Sequence, residues 1–84
     1  MKHKVVVTQE HIDDGTHSCT GCPIARAIGI DRTKYDEFVA AAFITWKGKT
    51  WLMPQSAMVF IQLFDRKQYD QLKPFEFEIT EYVP

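Results

Sequence analysis

The sequence predicts an α+β domain: a small, mostly antiparallel sheet with a hairpin, and two or three helices. Three observations predict it. Trp46-Lys47-Gly48-Lys49 sets a two-residue turn, with Gly second, between β-rich flanks. Phe75-Glu76-Phe77-Glu78-Ile79-Thr80 alternates apolar and polar residues, so this strand buries one face and wets the other. Between them, Ala57, Phe60, Ile61 and Phe64 recur at i, i+3, i+4 and i+7, the stripe of an amphipathic helix. Residues 1–84 form a single compact domain, and a chain this short buries only about 60% of its unfolded surface.

The elements follow in order. Lys4 to Thr8 is a β-branched run and reads as a strand buried on both faces. Thr8 N-caps a helical turn over 9–14, which Gly15 ends as a C′ residue. Thr16 to Gly21 is loop. Pro23 fits the first helical position, where its missing N–H costs nothing, and Gly29 closes that helix early. Cys22 is then the N-cap, its sulfur near the positive end of the helix dipole.

Residues 33–43 carry two competing patterns. Tyr35, Phe38, Val39, Ala42 and Phe43 fit helical spacing, and Thr33 with Asp36 fits a capping box. The hairpin turn that follows favours strands at about 38–46 and 49–53 instead. Pro54 opens the longest helix, to about Lys67, and 70–74 is a turn before the last strand at 75–80.

With Lys47-Gly48 as the turn, Trp46 faces Lys49 and Ile44 faces Trp51. Ala42, Ile44, Trp46, Trp51 and Met53 then share one face, and Val39, Ala41, Phe43 and Leu52 the other. Both are apolar, and the chain has one substantial helix to cover them. One face is therefore expected to meet a second subunit or a ligand, the competing expectation being that the short helices cover it.

Composition excludes several function classes. Ten Lys plus Arg against eleven Asp plus Glu give a net charge of −1, unlike the basic balance of duplex nucleic-acid binders. Two cysteines are too few for a disulfide scaffold. Val5-Val6-Val7 is too short for a signal peptide or membrane span, so the expected location is the cytoplasm, with both thiols reduced.

Three constellations could carry chemistry. His17, Cys19 and Cys22, with His11, give an H-x-C-x-x-C compatible with tetrahedral zinc, though only one ligand couple is closely spaced. Cys19-Thr20-Gly21-Cys22 also has the spacing of thiol redox motifs. Here, however, an eleven-residue gap separates it from the Val5–Val7 strand, and the second cysteine takes the cap position. The ordinary reading is that Cys22 packs as a small hydrophobe. The third constellation is the hairpin: Trp46 and Trp51 can stack a planar base while Lys47 and Lys49 pair a phosphate, with Arg26, Arg32 and Lys34 extending the cationic region. Its ordinary reading is two core tryptophans beneath two turn lysines. No catalytic motif such as G-x-S-x-G, H-E-x-x-H or a phosphate-cradling glycine loop is present, so the protein is expected not to be an enzyme.

The order of motifs resembles a group of small, largely uncharacterised bacteriophage and prophage proteins. The matching stretches are Thr8-Gln9-Glu10-His11-Ile12-Asp13-Asp14-Gly15, a C-x-x-C-P-[VI]-A-x-A run from Cys19 to Ala27, Leu52-Met53-Pro54, Phe60-Ile61-Gln62-Leu63-Phe64-Asp65 and Pro74-Phe75-Glu76-Phe77. Arg26 departs from the small or apolar residue of that pattern. The resemblance supports the hairpin over a helix at 38–53 and implies phage or prophage origin. It carries over no catalytic residues. The expectation is a cytoplasmic, non-enzymatic binding protein and homo-oligomer that takes a host protein or a small nucleotide-like defence signal. The alternative is a C-x-x-C module, zinc-stabilised or thiol-redox active.

Overall fold

The computed structural model describes residues 1–83. Its elements are β1 (Lys2–Val7), α1 (Gln9–Asp14), α2 (Pro23–Ile28), β2 (Phe38–Val39), β3 (Phe43–Trp46), β4 (Lys49–Leu52), α3 (Gln55–Asp65), a 3₁₀ turn (Tyr69–Gln71) and β5 (Phe75–Glu81). The five strands form one antiparallel sheet in the order β1-β5-β4-β3-β2. This is the small α+β fold expected.

Local chemistry sets the element ends. Thr8 caps α1: its Oγ1 accepts the His11 N–H at 3.3 Å, and His11 Nδ1 accepts the Thr8 N–H at 3.0 Å, so His11 fills the place of the usual glutamate in a capping box. Cys22 Sγ accepts the Ala25 N–H at 3.4 Å, and Pro23 is the first residue of α2. Gly29 ends α2 in the left-handed conformation, φ 83°. Gly15 is not such a cap, because its φ is −66°. Glycine is required there by contact: a Cβ would lie 2.6 Å from Cδ and Cγ of Pro23.

The hairpin has the expected register, with Trp46 opposite Lys49 and Ile44 opposite Trp51. Lys47 and Gly48 both have positive φ, 53° and 73°, as a two-residue turn matched to strand twist demands. The single strand expected at 38–46 is instead two strands. Ala40 N–H donates to the Phe43 carbonyl at 2.8 Å, and the chain reverses through 40–42 so that β2 pairs back onto β3. Val39 therefore lies opposite Ile44 and joins its buried face, not the face of Phe43, while Ala42 is exposed in the turn. The α3 helix ends at Asp65, short of Lys67, and no helix forms within 33–43.

One core unites the elements. Val5, Val7, Ile44, Phe77 and Ile79 on the inner sheet face meet Ile24 and Ile28 of α2 and Ala57, Phe60 and Phe64 of α3. Val6 is 49% exposed, so β1 is buried on one face only: the pleat turns Val6 outward, opposite Glu76. The outer face keeps Phe43 and Leu52 side by side, 37% and 46% exposed, with the Phe38 ring 6.1 Å from that of Phe43. Among the described residues, no helix is long and apolar enough to cross a membrane.

Candidate functional site

The hairpin is built as scaffold. Trp46 and Trp51 are both buried, their rings 6.0 Å apart, and the Trp51 indole N–H donates to the Trp46 carbonyl at 3.2 Å. His3 packs on Trp46 at 4.8 Å between ring centroids, and Lys47 Nζ lies 4.7 Å from the Trp46 ring centroid. Neither indole presents a free face to a base. Lys49 pairs with Glu81 at 3.4 Å. The tryptophan–lysine platform expected of Trp46, Lys47, Lys49 and Trp51 is therefore not assembled, because hydrophobic burial takes the rings that stacking would need.

Arg26 does not extend the hairpin. Its Nε donates to the Gly21 carbonyl at 3.2 Å. It lines a separate cavity of about 290 Å³ with Arg32 and His11, and with the carboxylates of Glu10 and Asp14. That balance of signs makes a poor anion site.

A second cleft, of about 250 Å³, opens between the 16–22 loop, the 40–42 turn and α3. His17, Ser18, Cys19 and Cys22 form one wall, Val39, Ala40 and Ala41 the second, and Ile61 with Asp65 the third. Backbone bonds fix the first two walls, and side-chain contacts of His17 join them to the third. Ser18 carbonyl accepts the N–H groups of Gly21 and Cys22, coiling the loop, and the Cys19 carbonyl accepts the Val39 N–H at 2.7 Å, tying the loop to β2. His17 stacks on Phe64 at 4.5 Å and shares a 2.6 Å hydrogen bond between its Nε2 and the Tyr69 hydroxyl. Its Nδ1 lies 3.9 Å from Asp65. Burial pushes the Cys22 thiol above its ordinary pKa, with the Ala25 and Ile24 N–H groups opposing and the charges of Asp65 and Cys19 adding. Cys19 is exposed.

The metal expectation at His17, Cys19 and Cys22 finds a shared cleft without convergence. Among the described residues, no three His, Cys, Asp or Glu side chains are grouped to hold a metal ion. His17 is turned onto Phe64 and Tyr69, and His11 is held in the α1 cap. The sequence pattern places Val39 and Ala41 on an apolar sheet face, and Ile61 and Asp65 in the α3 motif, but nothing local joins any of them, or Ala40, to the cysteine loop.

No known family, curated protein or solved structure matches this chain.

Proposed function

We propose that this chain is a small, non-enzymatic binding protein of phage or prophage type, acting in the host cytoplasm by docking a host protein in the cleft beside Cys19. The observation that carries the reading is the wall chemistry of that cleft. Val39, Ala40, Ala41 and Ile61 offer an apolar floor, and Asp65 places a carboxylate at its edge. A volume of about 250 Å³ falls below the roughly 300–1,000 Å³ of drug-sized ligand sites and suits one or two side chains of a protein partner. Its lining holds the carboxylate of Asp65 and no lysine or arginine, which opposes a phosphorylated nucleotide. A partner side chain with an aliphatic stem and a cationic head matches both parts of the wall.

The homo-oligomer belongs to the same proposal. Phe43 and Leu52 stand exposed and adjacent on the outer sheet face, away from the cleft, where a second copy would cover them while leaving the docking site open.

Native mass spectrometry of the protein purified from bacterial host cells tests this reading. The expected result is an oligomer carrying a host polypeptide. A retained nucleotide with no polypeptide would contradict the choice of partner.

A further inference from the structure

The two cysteines occupy one wall of the cleft but differ in access, and nothing in the docking reading uses them. We propose that Cys19 and Cys22 form a reversible dithiol–disulfide couple, in which exposed Cys19 reacts first with low-molecular-weight disulfides and half-buried Cys22 resolves the adduct.

The loop geometry supports it. Cys22 N–H donates to the Ser18 carbonyl at 3.0 Å and Gly21 N–H to the same oxygen at 3.3 Å, so residues 18–22 coil as a single helical turn. Residues three apart on such a turn have Cβ atoms about 5–6 Å apart, and a small loop adjustment brings this to the roughly 3.8 Å of a disulfide. Both backbones are anchored, the Cys19 carbonyl by the Val39 N–H of β2 and the Cys22 carbonyl by the Arg26 N–H of α2, so the pair is held together before any bond forms. Both side chains line the same cleft. Cys19 is exposed while Cys22 is partly covered, which separates entry from resolution.

The chemistry balances with a disulfide of the glutathione class as oxidant. The Cys19 thiolate attacks one sulfur, the reagent S–S bond breaks, and one thiolate leaves and takes a proton. Cys22 then loses its proton and attacks the Cys19 sulfur, expelling the second thiolate. Two protein thiols are oxidised to one disulfide, and one reagent disulfide is reduced to two thiols.

The test needs no binding partner, so its failure is separate from failure of the docking reading. The reduced 84-residue chain is incubated in glutathione redox buffers, quenched in acid and weighed intact. Wild type should lose two hydrogens and hold no lasting adduct. Cys22→Ser should accumulate one glutathione, and Cys19→Ser should react at least about tenfold more slowly. Serine is itself a good N-cap, so Cys22→Ser keeps α2. As a check independent of any variant, folded wild type should form its disulfide in buffer about tenfold more reducing than the urea-unfolded chain requires. A lasting glutathione adduct on wild type, no reaction, equal rates for the two variants, or equal folded and unfolded equilibria would overturn the proposal.

Discussion

The buried carboxylate of Glu37 accepts the backbone N–H of Lys47 at 3.2 Å, ten residues further along the chain. Its other oxygen accepts the Asp31 N–H at 2.9 Å, and Lys34 Nζ lies 3.9 Å from the first. One side chain thus ties the 31–37 loop to the hairpin turn at the residue that carries φ 53°. Glu37→Ala leaves two backbone donors without an acceptor and should cost about 2–4 kcal/mol in urea unfolding. Glu37→Gln retains a single carbonyl acceptor and should lose less. A Glu37→Ala midpoint equal to wild type would show that the clip does not hold the turn.

Nothing in the sequence around Glu37 marks it as buried, and the reason is general. Caps and tight turns are written in neighbouring residues: Thr8, Pro23, Gly29 and Lys47-Gly48 could be placed without any tertiary knowledge, and so could the hairpin register. The partners of the Glu37 carboxylate are backbone N–H groups six and ten residues away, which leave no local trace. The reversal at 40–42 escaped for a related reason. Three alanines carry no Gly, Pro or Asn to mark a turn, so nothing divided 38–46 or moved Val39 to the buried face. The cleft inherits both gaps: its cysteine wall was legible, while the walls from β2, the turn and α3 exist only once the chain has folded back.

The tryptophans should behave as core residues. Emission from Trp46 and Trp51 should resist acrylamide quenching, and Trp51→Ala should cost about 3–5 kcal/mol in stability. Replacing Lys49 by Ala should cost no more than about 1 kcal/mol, since the lysine end of its ion pair with Glu81 is 45% exposed. Ready quenching of both indoles would restore the hairpin as a candidate binding face.

Gly15 should be intolerant for steric reasons. Gly15→Ala drives a methyl against the Pro23 ring at 2.6 Å and should destabilise by about 1–3 kcal/mol. Because Pro23 starts α2, the same change should increase amide exchange in the Cys22–Ile28 segment. Wild-type stability and exchange in Gly15→Ala would show that α1 and α2 do not meet at this contact.

Cys22 should make stability depend on alkaline pH. Its folded pKa is raised, so the folded state keeps a proton that the unfolded chain releases once pH passes the ordinary thiol value of about 8.5. The burial of the neutral thiol therefore costs no stability below that pH, and stability falls as pH rises from there toward the folded pKa. Urea unfolding from pH 7 to 10 should show this decline in wild type, with a shallower decline in Cys22→Ser. Parallel profiles would mean that the thiol is not covered as described.

The outer face should report assembly. Sedimentation at micromolar concentration should show a species larger than the monomer, and Leu52→Lys should shift it to monomer with the fold intact. A monomer across a hundredfold concentration range in wild type would return Phe43 and Leu52 to the ordinary exposed apolar surface of a small protein.

The central claim is that recognition lies in the cleft and not at the hairpin. Comparing Ala41→Arg with a Lys47→Ala/Lys49→Ala double variant by native mass spectrometry, after purification from host cells, tests it most directly. Ala41 is exposed in the 40–42 turn and lines the cleft, so arginine there fills the site without disturbing the core. Ala41→Arg should lose the host polypeptide while the lysine variant retains it at the wild-type level. Loss from the lysine variant with retention by Ala41→Arg would place recognition at the hairpin instead of the cleft.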